Sequence, residues 1–351
     1  MNALKTLQIV FFIIIGLLIS SLLFIPFGLS PWRGLETLLL EGFLSSYGII
    51  ETLKLATPLM IIAIGLSIPF TAKVWNIGGQ GQFIMGEIFS VWVGLLLINR
   101  LPPAVVLPIA FAFAFIGGAL WALPPILMKV TAGTNEIITT LMMNFVAVYL
   151  LDYLLIGPME GSAAKLVHAP ASNPIPPSYS LLRILPGTQL SAELLIGLAL
   201  AGLMYYILNY INLGYELKLI GSGEKVARFA GVSPNLRLIE AMVVSGGISG
   251  IAGMVYVYGT TYILIPQFFS DISTSFGYVG IPVALVASLN PLAIIFSSVF
   301  LAGILNGAYI MEALYSIPID VAITVYGIIM LFSMIGVMTN VLERLIKVIR
   351  R

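Results

Sequence analysis

Long uninterrupted apolar runs dominate the chain, rather than alternating or one-sided patterns. Ten can be read, at roughly 7–29, 53–72, 83–99, 103–128, 136–157, 191–212, 238–259, 276–289, 292–312 and 317–343. A membrane-crossing helix needs about 20 consecutive apolar residues. The pattern therefore predicts a single all-α polytopic membrane domain over 1–351 with about ten transmembrane helices. A β-barrel would show strict alternation and a weaker signal per segment. The first run is too long for a signal-peptide core, and Ile25-Pro26-Phe27 offers no small-residue cleavage site, so it reads as a retained span. Spacing adds a second expectation. Residues 53–157 and 238–343 each hold four runs with a glycine-containing break after the first, the pattern of an inverted repeat with a solute path at its interface.

The segments between the runs differ in kind. Residues 30–50 carry Glu36 and Glu41 among apolar neighbours and predict an interfacial amphipathic helix. Residues 158–190 are rich in Pro, Ser and Ala, and 213–237 hold the densest charge. Basic residues set the orientation. Lys218, Lys225, Arg228, Arg237, Arg344, Lys347, Arg350 and Arg351 fall on one side with Lys5, Lys73 and Lys129, against Arg33, Lys54, Arg100, Lys165 and Arg183 on the other. Both termini and loop 213–237 are thus expected to be cytoplasmic, and loop 158–190 external.

Composition sharpens this. Hydrophobic residues make up 60% and charged residues 9%, against about 25% charged in a soluble domain. Net charge is +1, so no basic excess points to nucleic acid. With no cysteine and one histidine, His168 in a polar loop, neither a thiolate metal site nor a cysteine nucleophile is available.

The chemistry to look for is binding rather than bond-making. Gly221-Ser222-Gly223-Glu224-Lys225 lacks the spacing and hydroxyl of a phosphate loop, so this chain is not expected to hydrolyse ATP. Most ionisable residues sit near run ends, and only Glu87 and Asp152 lie deeper. That scarcity weighs against an ion-coupled secondary transporter, the rival reading within transport. The most unusual stretch is 73–82, Lys-Val-Trp-Asn-Ile-Gly-Gly-Gln-Gly-Gln. Its clustered glycines break a helix. Asn76, Gln80 and Gln82 are candidates to line a polar solute path, and Trp75 to stack on a flat solute face. A plain cytoplasmic turn beside Lys73 is the competing reading. A second break falls near 260–282. The small residues Ser245, Gly246, Ser249, Gly250 and Gly253 predict a close-packing helix face within the chain.

These residues carry a family resemblance. Trp75-Asn76-Ile77-Gly78-Gly79-Gln80-Gly81-Gln82 resembles the "NIG-x-x-GQ" signature of ABC importer permeases of bacteria and archaea, the branch serving simple sugars, nucleosides and branched-chain amino acids. Asn135-Glu136-Ile137-Ile138 with Leu141-Met142-Met143-Asn144 is similar to its second motif. Gly221, Ala227, Ala230-Gly231-Val232, Ser245-Gly246 and Ala252-Gly253 resemble its third. Gly277-Tyr278-Val279-Gly280-Ile281-Pro282-Val283-Ala284-Leu285 and Asn290-Pro291-Leu292 resemble its fourth. Together they cover about 60–310. The "WNIG" form with a long external loop looks nearest to nucleoside and simple-sugar permeases. Pro282 is unusual for the pattern, and Ser288-Leu289 stands where Gly-Arg is commoner.

The resemblance implies a permease in a prokaryotic plasma membrane, without a cofactor. It would work in membrane lipid with ATP-binding cassette subunits, an external solute-binding protein and a second permease, either itself or a paralogue. It also implies a coupling helix for the ATPase in 213–237. There Glu224, Lys225, Val226, Arg228, Phe229 and Gly231 are the candidate contacts, with Val226, Phe229 and Ala230 as an apolar stripe.

Overall fold

The computed structural model describes residues 3–185, 187–267 and 275–338. The basic end at Arg344–Arg351, residues 339–343 of the tenth run and part of the second break lie outside the described residues. Among those described the chain is helical, with one isolated β-bridge between Arg183 and Ser191.

The helices in order are α1 (Ala3–Ser21), α2 (Pro31–Phe43), α3 (Ser46–Thr71), α4 (Gly79–Leu97), α5 (Pro103–Ala132), α6 (Glu136–Ile156) and the short α7 (Ala164–Val167). There follow α8 (Glu193–Tyr210), α9 (Asn212–Ser222), α10 (Glu224–Phe229), α11 (Pro234–Tyr256), α12 (Phe276–Val286), α13 (Pro291–Tyr315) and α14 (Ile319–Met338). α1 continues as a 3-10 helix over Leu22–Phe27, and α11 as a π-helix over Val257–Thr261.

Eight segments are long and apolar enough to cross a membrane, and shorter apolar helices stand where the eighth and tenth runs were expected. α12, at 11 residues, rises only about 16 Å, roughly half the hydrocarbon thickness. The eighth run therefore has the length of a half-span.

Local chemistry explains the boundaries. The side chains of Ser45, Asn135 and Asn290 accept the Gly48, Ile137 and Leu292 N–H groups and so cap α3, α6 and α13. Gly133, at φ +66°, closes α5. α3 starts at Ser46, about two turns before its apolar run, because Lys54 neutralises Glu51 at 2.8 Å. The expected interfacial helix is α2, which buries Leu35 and Leu38 and leaves Trp32 exposed.

The core forms where α3, α4, α5 and α11 cross. A Cβ on Gly86 of α4 would overlap the Gly250 backbone of α11, and one on Gly118 of α5 would overlap the Gly246 carbonyl. The small-residue face of α11 thus packs inside the chain, letting backbones touch as membrane helices do. The α3–α6 and α11–α14 sets make matching contacts. α3 lies against α12 and α13 as α11 lies against α4 and α5, and α4 meets α5 and α6 as α12 meets α13 and α14. At the edge α1 zips to α14, where the buried Gln8 donates to the Gly336 carbonyl at 2.9 Å.

Candidate functional site

The segment 73–78 is not a solvated turn. Lys73 is exposed in the left-handed region at φ +59°, but Val74, Asn76 and Gly78 are buried. A broken helix is tolerated inside a membrane protein only if its freed backbone groups find partners. Here the Val74 N–H donates to the Pro69 carbonyl at 3.0 Å, the Gly78 carbonyl accepts the Gln82 N–H at 3.0 Å, and side chains supply further partners. Asn76 and Gln82 exchange two amide hydrogen bonds of 3.0 Å. Asn76 also donates to Ser245 Oγ on α11 at 3.0 Å and accepts the Gly78 N–H at 3.0 Å. Asn144 on α6 donates to the Ile77 carbonyl at 2.9 Å and accepts the Gly81 N–H at 2.8 Å. Thr140 Oγ1 accepts the Ile77 N–H at 3.2 Å. The Trp75 N–H reaches Glu136 Oε1 at 3.5 Å, and Lys129 holds the other oxygen of that carboxylate at 2.7 Å.

The first break is shorter than the expected 73–82, because α4 already begins at Gly79; Gln80, in its first turn, reaches across to the second break. Its Nε2 donates to Gln267 Oε1 at 2.7 Å, and its Oε1 accepts the Gly277 N–H at the start of α12 at 2.7 Å. Gln267 then donates to Glu87 Oε2 at 2.5 Å. Glu87 sits halfway along α4 and is 1% exposed. A relay of amides and one carboxyl thus runs through the interior between the two interruptions.

Of the candidate path residues, Asn76, Gln80 and Gln82 come together in this network, each buried and hydrogen-bonded. Trp75 is half-buried and packs on Phe70, ring centroids 4.9 Å apart. Sequence reasoning missed Gln267, Ser245, Thr140 and Asn144 as partners. The available signal was Thr140 and Asn144, one helical turn apart in an otherwise apolar run.

At one end of the bundle, loop 158–190 folds over the second break. The Ile175 N–H donates to the Tyr262 carbonyl at 2.8 Å, the Leu181 N–H to the Tyr258 carbonyl at 3.0 Å, and Ser172 exchanges two hydrogen bonds with Leu264.

The charged segment forms a separate feature. α10 lies between Gly223 (φ +151°) and Gly231 (φ +78°), backbone conformations that suit glycine. Ala227 is its buried contact, while Val226, Phe229 and Ala230 face outward with Glu224, Lys225 and Arg228. Phe229 is 94% exposed, the most exposed large apolar side chain among the described residues. α9 anchors α10. Its Glu216 pairs with Arg237 of α11, which also holds Glu240 at 2.6 Å. A Cβ on its Gly221 would overlap the Thr71 carbonyl at the end of α3, beside the first break.

A family model described as branched-chain amino acid transport system / permease component matches residues 48–334. The chain is also similar to three curated permeases along most of their length. A glucose ABC transporter permease protein of Haloferax volcanii is 25% identical over 91% of this chain and 84% of that protein. A guanosine ABC transporter permease protein of Bacillus subtilis is 29% identical over 91% of this chain and 90% of that protein. A nucleoside ABC transporter permease protein of Lactococcus lactis is 27% identical over 84% of this chain and 82% of that protein.

Proposed function

From the premise that this chain belongs to the branched-chain amino acid transport system permease family, we propose that it passes a nucleoside or simple sugar inward by alternating access. It is a multi-pass plasma-membrane permease subunit of an ABC importer. Separate ATP-binding subunits hydrolyse ATP, and a solute-binding protein works with it. The solute class is supported by the three relatives, whose names carry glucose, guanosine and nucleoside. The observation that carries it is the buried relay Gly277–Gln80–Gln267–Glu87 where the two helix interruptions meet. Amides and a carboxyl suit a neutral solute rich in hydroxyl and N–H groups, because they recognise hydrogen-bonding groups without demanding a formal charge.

In this reading Asn76, Gln80, Gln82 and Trp75 belong to the path wall. Asn76 and Gln82 hold the break in shape, and Gln80 meets the second break. The sets 53–157 and 238–343 act as inverted repeats that rock about this seam, a reading supported by their matching helix contacts. Both termini are cytoplasmic. α10 is the ATPase-coupling helix, with Phe229 and Val226 as apolar contacts and Glu224, Lys225, Arg228 and Gly231 around them. Motion reaches the seam through α9, whose Gly221 sits on the end of α3. A second permease, itself or a paralogue, completes the pathway within membrane lipid.

The test is uptake of labelled nucleosides and sugars into proteoliposomes holding the assembled importer, with and without ATP. ATP-dependent accumulation of either class is expected. Accumulation of neither class, or equal uptake by this chain alone down a gradient, would overturn the reading.

A further inference from the structure

Glu87 is the feature that packing alone does not explain. It is an acid in the middle of a membrane-crossing helix, 1% exposed, and among the described residues no Lys, Arg or His lies within ion-pair distance of it. An acidic side chain at that depth is costly and marks a functional position by default. Its described side-chain partner is a neutral amide, Gln267 Nε2, at 2.5 Å.

The two partners differ in mounting. Glu87 rides on the continuous α4, between Phe83 and Ser90, and its backbone is locked against Gly253 of α11. Gln267 rides on irregular backbone after Tyr262, outside any helix. Relative movement of the second break and α4 therefore parts this contact first. When it parts, it uncovers the carboxyl of Glu87.

Resting on the solute class proposed above, we infer that Glu87 is a specificity residue that reads a vicinal diol. Glucose and the ribose of guanosine share that group and otherwise have little in common. A carboxyl group offers two coplanar oxygens and can engage both hydroxyls of a diol side by side. The Gln267 amide occupies the place of the first hydroxyl while the path is closed. The site would take ribonucleosides and hexoses and disfavour 2′,3′-dideoxynucleosides.

The experiment uses the assembled importer in proteoliposomes, with the solute-binding protein saturated by each solute so that its own affinity drops out. Maximal ATP-driven uptake is compared for a ribonucleoside and its 2′,3′-dideoxy analogue. The wild type should move the dideoxy compound at least about tenfold more slowly. Glu87→Gln keeps the shape and one acceptor for Gln267, so it should fold and hydrolyse ATP, yet narrow that ratio to within about twofold by slowing the ribonucleoside. Gln267→Ala leaves the carboxyl in place and should keep the ratio. Equal wild-type rates for the two compounds, or an unchanged ratio in Glu87→Gln, would overturn the assignment while leaving the importer reading standing. Uptake of neither nucleosides nor hexoses would remove both. If Glu87→Gln failed to assemble, Glu87→Ala serves instead: a ratio narrowed to within about twofold supports the assignment and an unchanged ratio refutes it.

Discussion

Replacing Asn76 by alanine should weaken the fold far more than its size suggests. Its amide takes part in four hydrogen bonds: two with Gln82, one to Ser245 and one from the Gly78 N–H. The site is 0% exposed, so water does not replace them readily. Side-chain hydrogen bonds inside membrane proteins average about 0.6 kcal/mol each, which sets a floor of about 2 kcal/mol. Both ends of the Gln82 amide would also be stranded, and an unsatisfied buried polar group costs about 1–3 kcal/mol. The expected loss is about 3–5 kcal/mol, measured by reversible denaturant unfolding of the purified chain in mixed micelles. Gln82→Ala should cost a similar amount. The double variant removes both halves of the pair and should cost about 1–2 kcal/mol less than the sum of the singles, because neither residue leaves the other stranded. Additivity within about 0.5 kcal/mol would refute the argument that the break is held by a reciprocal amide pair.

Four further outcomes follow from the same structure. Gly118→Val puts a branched side chain into the Gly246 carbonyl, and should yield little monodisperse protein by size-exclusion chromatography, whereas Gly202→Ala, where a Cβ meets nothing within 4 Å, should behave as wild type. Phe229→Ala should leave the melting temperature unchanged within about 1 °C, since the ring is exposed, but should sharply reduce ATP-driven uptake in the assembled importer. Ser288 is exposed at φ +51°, where the family pattern more often has glycine, so Ser288→Gly should raise stability by about 0.5–1 kcal/mol in the same unfolding assay. Asn144→Leu strands the Ile77 carbonyl and the Gly81 N–H, and should cost about 2–4 kcal/mol while leaving α6 helical by circular dichroism.

The helices were legible because a bilayer demands one kind of signal, a long apolar run, and the chain supplies it repeatedly. The ends of those helices were less so. α3 begins at Ser46 rather than near 53 because an ion pair between Glu51 and Lys54 lets charged residues join the helix, and hydropathy cannot see pairing. The short α12 shows the opposite limit. Residues 276–289 read as a span by composition, but the helix stops at Val286, and composition does not count turns. For the site, Asn76, Gln80 and Gln82 stood out because polar residues beside clustered glycines are rare in apolar sequence. Their partners did not, because Gln267 and Ser245 lie some 170 to 190 positions away in the chain. Only the crossing of α3, α4 and α11 brings them close. On α10 the expected stripe of Val226, Phe229 and Ala230 was a correct list of apolar residues. A six-residue helix, however, buries only Ala227 and turns the rest outward.

The contact between α1 and α14 has a consequence for how the protein is made. Gln8 sits in an apolar helix, and Gly336, one of the groups it bonds to, is 328 residues downstream. At ribosomal rates of about 5–20 residues per second, α1 waits in the membrane for roughly a quarter to a full minute before that partner is synthesised. During the interval the side of α1 that will face α14 must be covered by the insertion machinery, by lipid or by passing helices. The α1–α14 contact is thus among the last long-range contacts to form, after the helices between them have been synthesised.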